Sequence, residues 1–272
     1  MAANPRKLAF VLAATDQGTY LVNRFDYNGS EDSRYGVGHK LLQFAAREPQ
    51  EVDTAIALLS WRRDYFGPGV VGIDCGANLG IHSVSWARHM TGWGSVLAIE
   101  AQERIFYALC GNITLNNVFN ARAMHAAVAA EVGRMRIPVP DYLAPASFGS
   151  LELKPLSAEF IGQNIDYAES AGMEIDTITI DSLNLPRVDF IKIDVEGMEL
   201  EVLAGAQATL NRCKPVLLID RGKVEQATLR ERLTGRGYVV FEMGINVVAV
   251  HGTDRTLEHL RAPPVNRVPE SR

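Results

Sequence analysis

From Val70 the chain changes rhythm twice within one short stretch. Val70-Val71-Gly72-Ile73 is apolar without polar alternation, as a strand buried on both faces should be. Asp74 closes it, Gly72, Gly76 and Gly80 space the segment, and Ile81 to Ala87 carries apolar residues at helical spacing. The same alternation runs on down the chain. Ser95 to Ile99 reads as a second strand ending in Glu100, and a helix is expected over about residues 104–116. A strand over 121–127 and another over 134–137 follow, and then Pro138, Pro140 and Pro145 break regular structure, so 138–170 reads as an irregular insert. Residues 174–180 alternate as a half-exposed strand does, and Val188 to Ile193 is a strand ending at Asp194. A helix over 199–210, a strand from Pro215 to Ile219 ending at Asp220, and a helix through Leu229 and Leu233 come next. Strands at 238–241 and 247–250 close the pattern around Gly244.

Upstream, Leu8 to Ala14 and Thr19 to Val22 are two apolar runs around Asp16-Gln17-Gly18, the pattern of a β-hairpin. A polar loop at 28–33 precedes Tyr35, which is expected near the ligand end of the sheet or in ordinary packing. Val52, Ala55, Ile56 and Leu59 mark a helix that Gly67-Pro68-Gly69 stops. The chain therefore divides into an N-terminal extension packing on the core (1–66), a sheet-and-helix domain (67–252) holding the 138–170 insert, and a C-terminal tail (253–272). Pro263, Pro264 and Pro269 mark the tail as a loosely ordered end. Alternating strands and helices predict an α/β fold: a parallel sheet with helices on both faces and an antiparallel closing strand pair.

In such a sheet a ligand sits outside the carboxyl ends of the strands, where the strand order reverses. Here Asp74, Glu100, Asp194 and Asp220 put an acid at each of four strand ends. The first turn is neither G-x-G-x-x-G nor a Walker loop, because Asn78 stands inside it and no Gly-Lys-Ser or Gly-Lys-Thr follows. Glu100 lies about twenty residues past the turn, where an acid accepts hydrogen bonds from ribose hydroxyls. A ribose acid without a pyrophosphate cradle fits S-adenosylmethionine.

Three motifs carry a family resemblance: VVGIDCGANLGIHS, then VLAIEAQERIFYALCGNITLNN, then DFIKIDVEGMELEVLAGA. In this order and spacing, over roughly residues 68–220, they resemble the FkbM family of S-adenosylmethionine-dependent methyltransferases. The resemblance implies a Rossmann-like, seven-stranded class I methyltransferase sheet. It also implies methyl transfer, most often to an oxygen of a sugar or small metabolite. On that footing Gly76, Ala77, Asn78 and Gly80 shape the turn against the methionine part of the cofactor. Asp74 holds the turn or the amino group, Glu100 takes the ribose, and Ala101 and Ala127, with Ala126, flank the adenine. Asp194 and Glu196 in Asp194-Val195-Glu196-Gly197, and His82 after the turn, are the candidate catalytic bases. Lys192, two residues before Asp194 on one strand face, reads as an ion-pair partner. A divalent cation on Asp194, Glu196, Glu199 and Asp220 is the weaker expectation, since helix-N-terminal acids need no metal to explain them.

Composition narrows the partners. The net charge is −5 over 272 residues, which disfavours nucleic acid, and Asp-Val-Glu-Gly stands where a base-methylating enzyme would carry an Asn-Pro-Pro-Tyr type motif. No apolar run is long enough to span a membrane. Three scattered cysteines without a C-x-x-C favour a reducing compartment, so a cytoplasmic protein acting on a small-molecule or glycan acceptor is expected. A nicotinamide-dependent oxidoreductase, or a methyltransferase-like fold kept as a binding module, are the alternatives that cofactor binding and turnover separate. Oligomeric state and acceptor identity leave no mark in the sequence.

Overall fold

The computed structural model describes residues 7–157, 159–168 and 171–261. The N-terminal hairpin is present as β1 (Phe10–Thr15) and β2 (Gly18–Asn23), paired antiparallel with Thr15 opposite Gly18. Two helices follow, α1 (Val37–Phe44), which the sequence pattern did not announce, and α2 (Pro49–Phe66). Pro49 opens α2 at its first turn, where the missing N–H costs no hydrogen bond.

The main body then alternates as expected. It runs through β3 (Val70–Cys75), α3 (Ile81–His89), β4 (Gly94–Glu100), α4 (Glu103–Leu115) and β5 (Ala121–His125). A small second sheet is built from β6 (Ala127–Val128), β7 (Gly133–Ile137) and β8 (Met173–Ile178). The main sheet resumes with β9 (Phe190–Ile193), then α5 (Glu199–Ala204), α6 (Gln207–Cys213) and β10 (Val216–Asp220). It finishes with α7 (Gln226–Thr234), β11 (Tyr238–Met243) and β12 (Asn246–His251), and α8 (Leu257–Arg261) follows.

Seven strands lie in the order β11-β12-β10-β9-β3-β4-β5. β3 pairs in parallel with both β4 and β9, so the chain winds outward on one side through β5 and then returns to start the other side at β9. The order reverses between β3 and β9, which places a crevice at their carboxyl ends. The antiparallel last strand is β12, and it is inserted between β10 and β11 rather than lying at the edge. The expected class I methyltransferase sheet is therefore the fold of this chain. One apolar core joins the hairpin, α1 and α2 to α3, with Trp86 fully buried edge-on to Phe190; a second fills the opposite face around Ile73, Ile191 and Leu217.

Three differences from the sequence pattern have local causes. The strand expected over 121–127 stops at His125, because Ala126 N–H turns to the Glu100 carbonyl and Ala127-Val128 leaves to pair with β8. The helix expected over 199–210 divides in two, because the Asp181 carboxylate accepts from the N–H groups of Ala208 and Thr209 at 2.8 and 2.7 Å and starts α6 afresh. The beginning of the expected tail is packed, not loose: Asp254, Thr256 and Leu257 are buried. Pro263, Pro264 and Pro269 lie outside the described residues.

Asp254 is held by an ion pair. Arg62 of α2 is buried and bonds Asp254 on one side and Asp189 on the other, the latter at 3.2 to 3.3 Å. Asp189 keeps Arg187 as a second partner, but Asp254 has Arg62 as its cation. Arg62→Met is expected to cost about 3 kcal/mol in urea unfolding, since it strands a buried carboxylate. A loss below about 1 kcal/mol would show that the pair contributes no net stability.

Candidate functional site

A cavity of about 630 Å3 opens at the carboxyl ends of β3, β4 and β9, a volume in the usual range for small-molecule sites. Asp74, Gly76, Ala77, Asn78, Glu100, Ala101, Ala127, His82, Asp194 and Glu196 all line it. Gly80 does not. Its backbone is left-handed (φ 82°) where α3 begins, and a Cβ there would meet Leu109 Cδ1 at 2.5 Å, so Gly80 serves helix packing instead of the cavity wall.

The turn between β3 and α3 is hooked onto β4. The N–H groups of Gly76 and Ala77 both donate to the Ile99 carbonyl, at 3.0 and 2.9 Å. The Glu100 carboxylate sits beneath, accepting from Asn78 N–H at 2.8 Å and Gln102 N–H at 2.7 Å. Each carboxylate oxygen thus has one backbone donor and lone pairs left for a ligand. Burial pushes Glu100 up to about 7, against the pull of those N–H groups. Asp74 is buried, and its Oδ2 accepts from Ser83 Oγ at 2.6 Å while its Oδ1 has no partner among the described residues. An orphaned buried carboxylate oxygen is the feature that an ammonium group of a ligand would satisfy. Ile99, Ala101, Ala126, Ala127, Val128, Leu151 and Leu153 give the neighbouring wall an apolar character suited to a flat ring.

The opposite wall is charged. Lys192 is buried on β9 and donates to Asp194 Oδ2 at 2.7 Å, the ion pair that the strand alternation implies. Burial alone would lower the Lys192 pKa, but the carboxylates of Asp194, Asp74 and Glu51 outweigh it and push it up. Glu196 pairs with Lys223 at 2.8 Å, and burial together with Asp194 drives its pKa upward. Burial and Asp194 also raise Asp220, to about 6.

The insert closes the rim. Ser147, Gly149, Ser150, Leu151, Ser157 and Glu159 face the cavity, and Lys223 ties the insert down through the Ser150 carbonyl at 3.0 Å and Glu159 at 2.9 Å. Asp26, from the N-terminal extension, accepts from Gly38 N–H at 2.8 Å and Phe148 N–H at 3.0 Å, so one buried carboxylate joins extension to insert. Tyr35 also lines the cavity, and its hydroxyl accepts from Asn28 Nδ2 at 2.8 Å.

The carboxylates expected to share a cation, Asp194, Glu196, Glu199 and Asp220, do not converge. Asp194 goes to Lys192 and Glu196 to Lys223, while Glu199 turns back to accept from Val195 and Gly197 N–H. Among the described residues the potential ligands that gather are Glu48, Glu51 and His82. Sequence reasoning missed Glu48 and Glu51. The available signal was two acids flanking Pro49; Glu48 precedes the helix with a left-handed backbone (φ 47°) and Glu51 lies in its first turn.

Residues 74–240 match the family model described as Methyltransferase FkbM domain. "Methyltransferase 1" of Beauveria bassiana (strain ARSEF 2860) is 25% identical over 142 residues, covering 49% of this chain; the chain spans 57% of that relative's length. Among solved structures, a methyltransferase FkbM from Methylobacillus flagellatus KT is 18% identical with a TM-score of 0.47, covering 70% of this chain and 48% of its own. TYW2 of M. jannaschii, solved with AdoMet, is 13% identical with a TM-score of 0.44, covering 90% of this chain and 87% of its own. The family match spans more than half of the residues and takes in the β3 turn, the β4 acid and the β9 acid together, and so the chain belongs to the FkbM methyltransferase family.

Proposed function

We propose that the cavity binds S-adenosylmethionine and that the protein transfers its methyl group to a hydroxyl oxygen of a polar small molecule or sugar. The observation that carries this is the buried Glu100 carboxylate at the end of β4, beside a turn hooked onto the same strand and an apolar slot. When bound, the cofactor supplies an electrophilic methyl on a sulfonium. Glu100 would take the ribose hydroxyls, Asp74 Oδ1 the amino group, and Ala101 and Ala127 the adenine. The charged wall suits an acceptor rich in hydroxyls. Asp194, held in place by Lys192, would take the proton of the acceptor hydroxyl as that oxygen gains the methyl group in exchange for the broken sulfur–carbon bond. The insert, tied at Lys223, shapes the acceptor end. No helix among the described residues is long and apolar enough to cross a membrane.

Calorimetry with S-adenosylhomocysteine and NAD in parallel tests the cofactor class. Micromolar affinity for the sulfur compound and none for NAD is expected; the reverse would overturn the assignment. A panel of sugars and polyols with isotopically labelled methyl donor then tests the acceptor class, and labelling confined to nitrogen acceptors would reject oxygen transfer.

The Glu100 assignment carries a pH signature. Ribose hydroxyls donate to the ionised carboxylate, so binding favours the form that burial disfavours. Affinity is therefore full above about 7 and falls by up to about tenfold per pH unit below it. Glu100→Ala should weaken S-adenosylhomocysteine by at least about tenfold and flatten this slope. A 2′-deoxy analogue should lose affinity on the native protein and much less on the variant. A pH-independent affinity from 5.5 to 8.5 would remove Glu100 from the ribose.

A further inference from the structure

We infer that Glu48, Glu51 and His82 form a site for one divalent transition-metal ion, manganese or zinc in class, on the charged wall of the cavity. The inference rests on the methyl-transfer proposal for its purpose, since the ion would hold acceptor hydroxyls beside Asp194. Ligand atoms of the three side chains lie within 4.8 Å of one another. His82 Nε2 is 3.3 Å from Glu51 Oε1 and 3.9 Å from Glu48 Oε2. Two ligands at about 2.1 Å from an ion, at octahedral to tetrahedral angles, stand about 3.0 to 3.4 Å apart. The Glu51–His82 pair already has that spacing, and Glu48, at 3.9 Å from His82, would have to move inward to complete the set.

A second observation points the same way. His82 is only 7% exposed, and among the described residues neither ring nitrogen has a partner in hydrogen-bonding geometry, Nε2 meeting the two carboxylates only at 3.3 and 3.9 Å. Leaving a buried imidazole unpaired is costly, and a cation on Nε2 would remove that cost. The carboxylates are oriented as metal ligands are. Glu51 Oε2 accepts from Asn246 Nδ2 at 2.6 Å, and Glu48 Oε1 pairs with Arg47 at 2.6 Å. In each case one oxygen is anchored from outside and the other faces His82, which is the support that outer partners give to ligating side chains. Arg47 offsets one of the two carboxylate charges, and the buried Lys192 is shared among Asp194, Asp74 and Glu51. One imidazole nitrogen with two carboxylate oxygens suits manganese or zinc better than calcium or magnesium. All three residues line the cavity, so a three-ligand ion keeps open positions toward an acceptor.

The test titrates chelator-treated, dialysed protein with Mn2+ by electron paramagnetic resonance and with Zn2+ by calorimetry. One ion per chain at micromolar affinity is expected. Glu51→Gln and His82→Gln should each weaken it at least tenfold, with the melting temperature within about 5 °C and S-adenosylhomocysteine affinity within threefold of the native protein. Absence of binding below millimolar Mn2+ and Zn2+, or variants that bind as tightly as the native chain, would overturn the site. S-adenosylhomocysteine is titrated separately, so metal binding without it would reject the methyl-transfer proposal and leave the ion site standing. The converse would reject the site alone.

Discussion

Gly76→Ala is expected to lower the melting temperature by at least about 10 °C, or to prevent folding, because the substitution puts an atom where another backbone already lies. A Cβ on Gly76 would stand 1.8 Å from the carbonyl oxygen of Asp194. That contact joins the end of β3 to the end of β9, the two strands between which the sheet order reverses. Neither side can yield cheaply. Gly76 N–H is bonded to Ile99, and Asp194 N–H is bonded to the Cys75 carbonyl at 3.1 Å. A matched control separates strain from overlap. Gly67 has nearly the same left-handed φ, 76° against 78°, but nothing within 4 Å of its Cβ position. Gly67→Ala should therefore cost only the conformational penalty of its extended positive-φ backbone (ψ 177°), about 1–3 kcal/mol. If the two variants melted within a few degrees of each other, the close approach at the crevice would not govern stability.

The same glycine shows why so much of the fold was legible. A backbone that must pass another backbone at the switch point leaves a glycine in the sequence, and the apolar runs on either side leave the strands. The acids at the strand ends are equally visible, since Asp74, Glu100 and Asp194 each follow a buried run directly and each faces the cavity. What the chain concealed depends on contacts distant in sequence. Gly80 looked like part of the ligand turn, but Leu109 of α4 requires it. The division of the 199–210 helix is written in Asp181, a residue far upstream whose carboxylate begins α6. Glu199 looked like a cation ligand, whereas its Oε1 caps the loop before its own helix. Apart from their flanking Pro49, nothing in the sequence around Glu48 and Glu51 marks them as a pair, and only the docking of α2 beside α3 brings them to His82. Periodicity reports which face of an element is buried, but not which charged residue at its end meets another element's end.

Asp194→Asn is expected to reduce kcat by about 10²- to 10⁴-fold with an oxygen acceptor, the range for loss of a positioned base. Asp194 closes β9 at the switch point and its side chain is one-third exposed into the cavity. Lys192 holds Oδ2 at 2.7 Å, which fixes the carboxylate and leaves Oδ1 for the acceptor. An asparagine keeps the shape but cannot take the proton. Affinity for S-adenosylhomocysteine should change less than threefold, because the groups assigned to the cofactor lie on β3, β4 and the apolar wall. Mn2+ affinity should also hold, since Asp194 is not among the three proposed ligands. Glu196→Gln provides the contrast: Glu196 is engaged by Lys223 at 2.8 Å, and its loss should loosen the insert, raising the acceptor KM more than it lowers kcat. A kcat within tenfold of native for Asp194→Asn would move the base elsewhere on the wall. A large loss in both variants with kcat and KM shifted together would mean that the acid pair acts as one unit, and neither residue alone could then be assigned the proton.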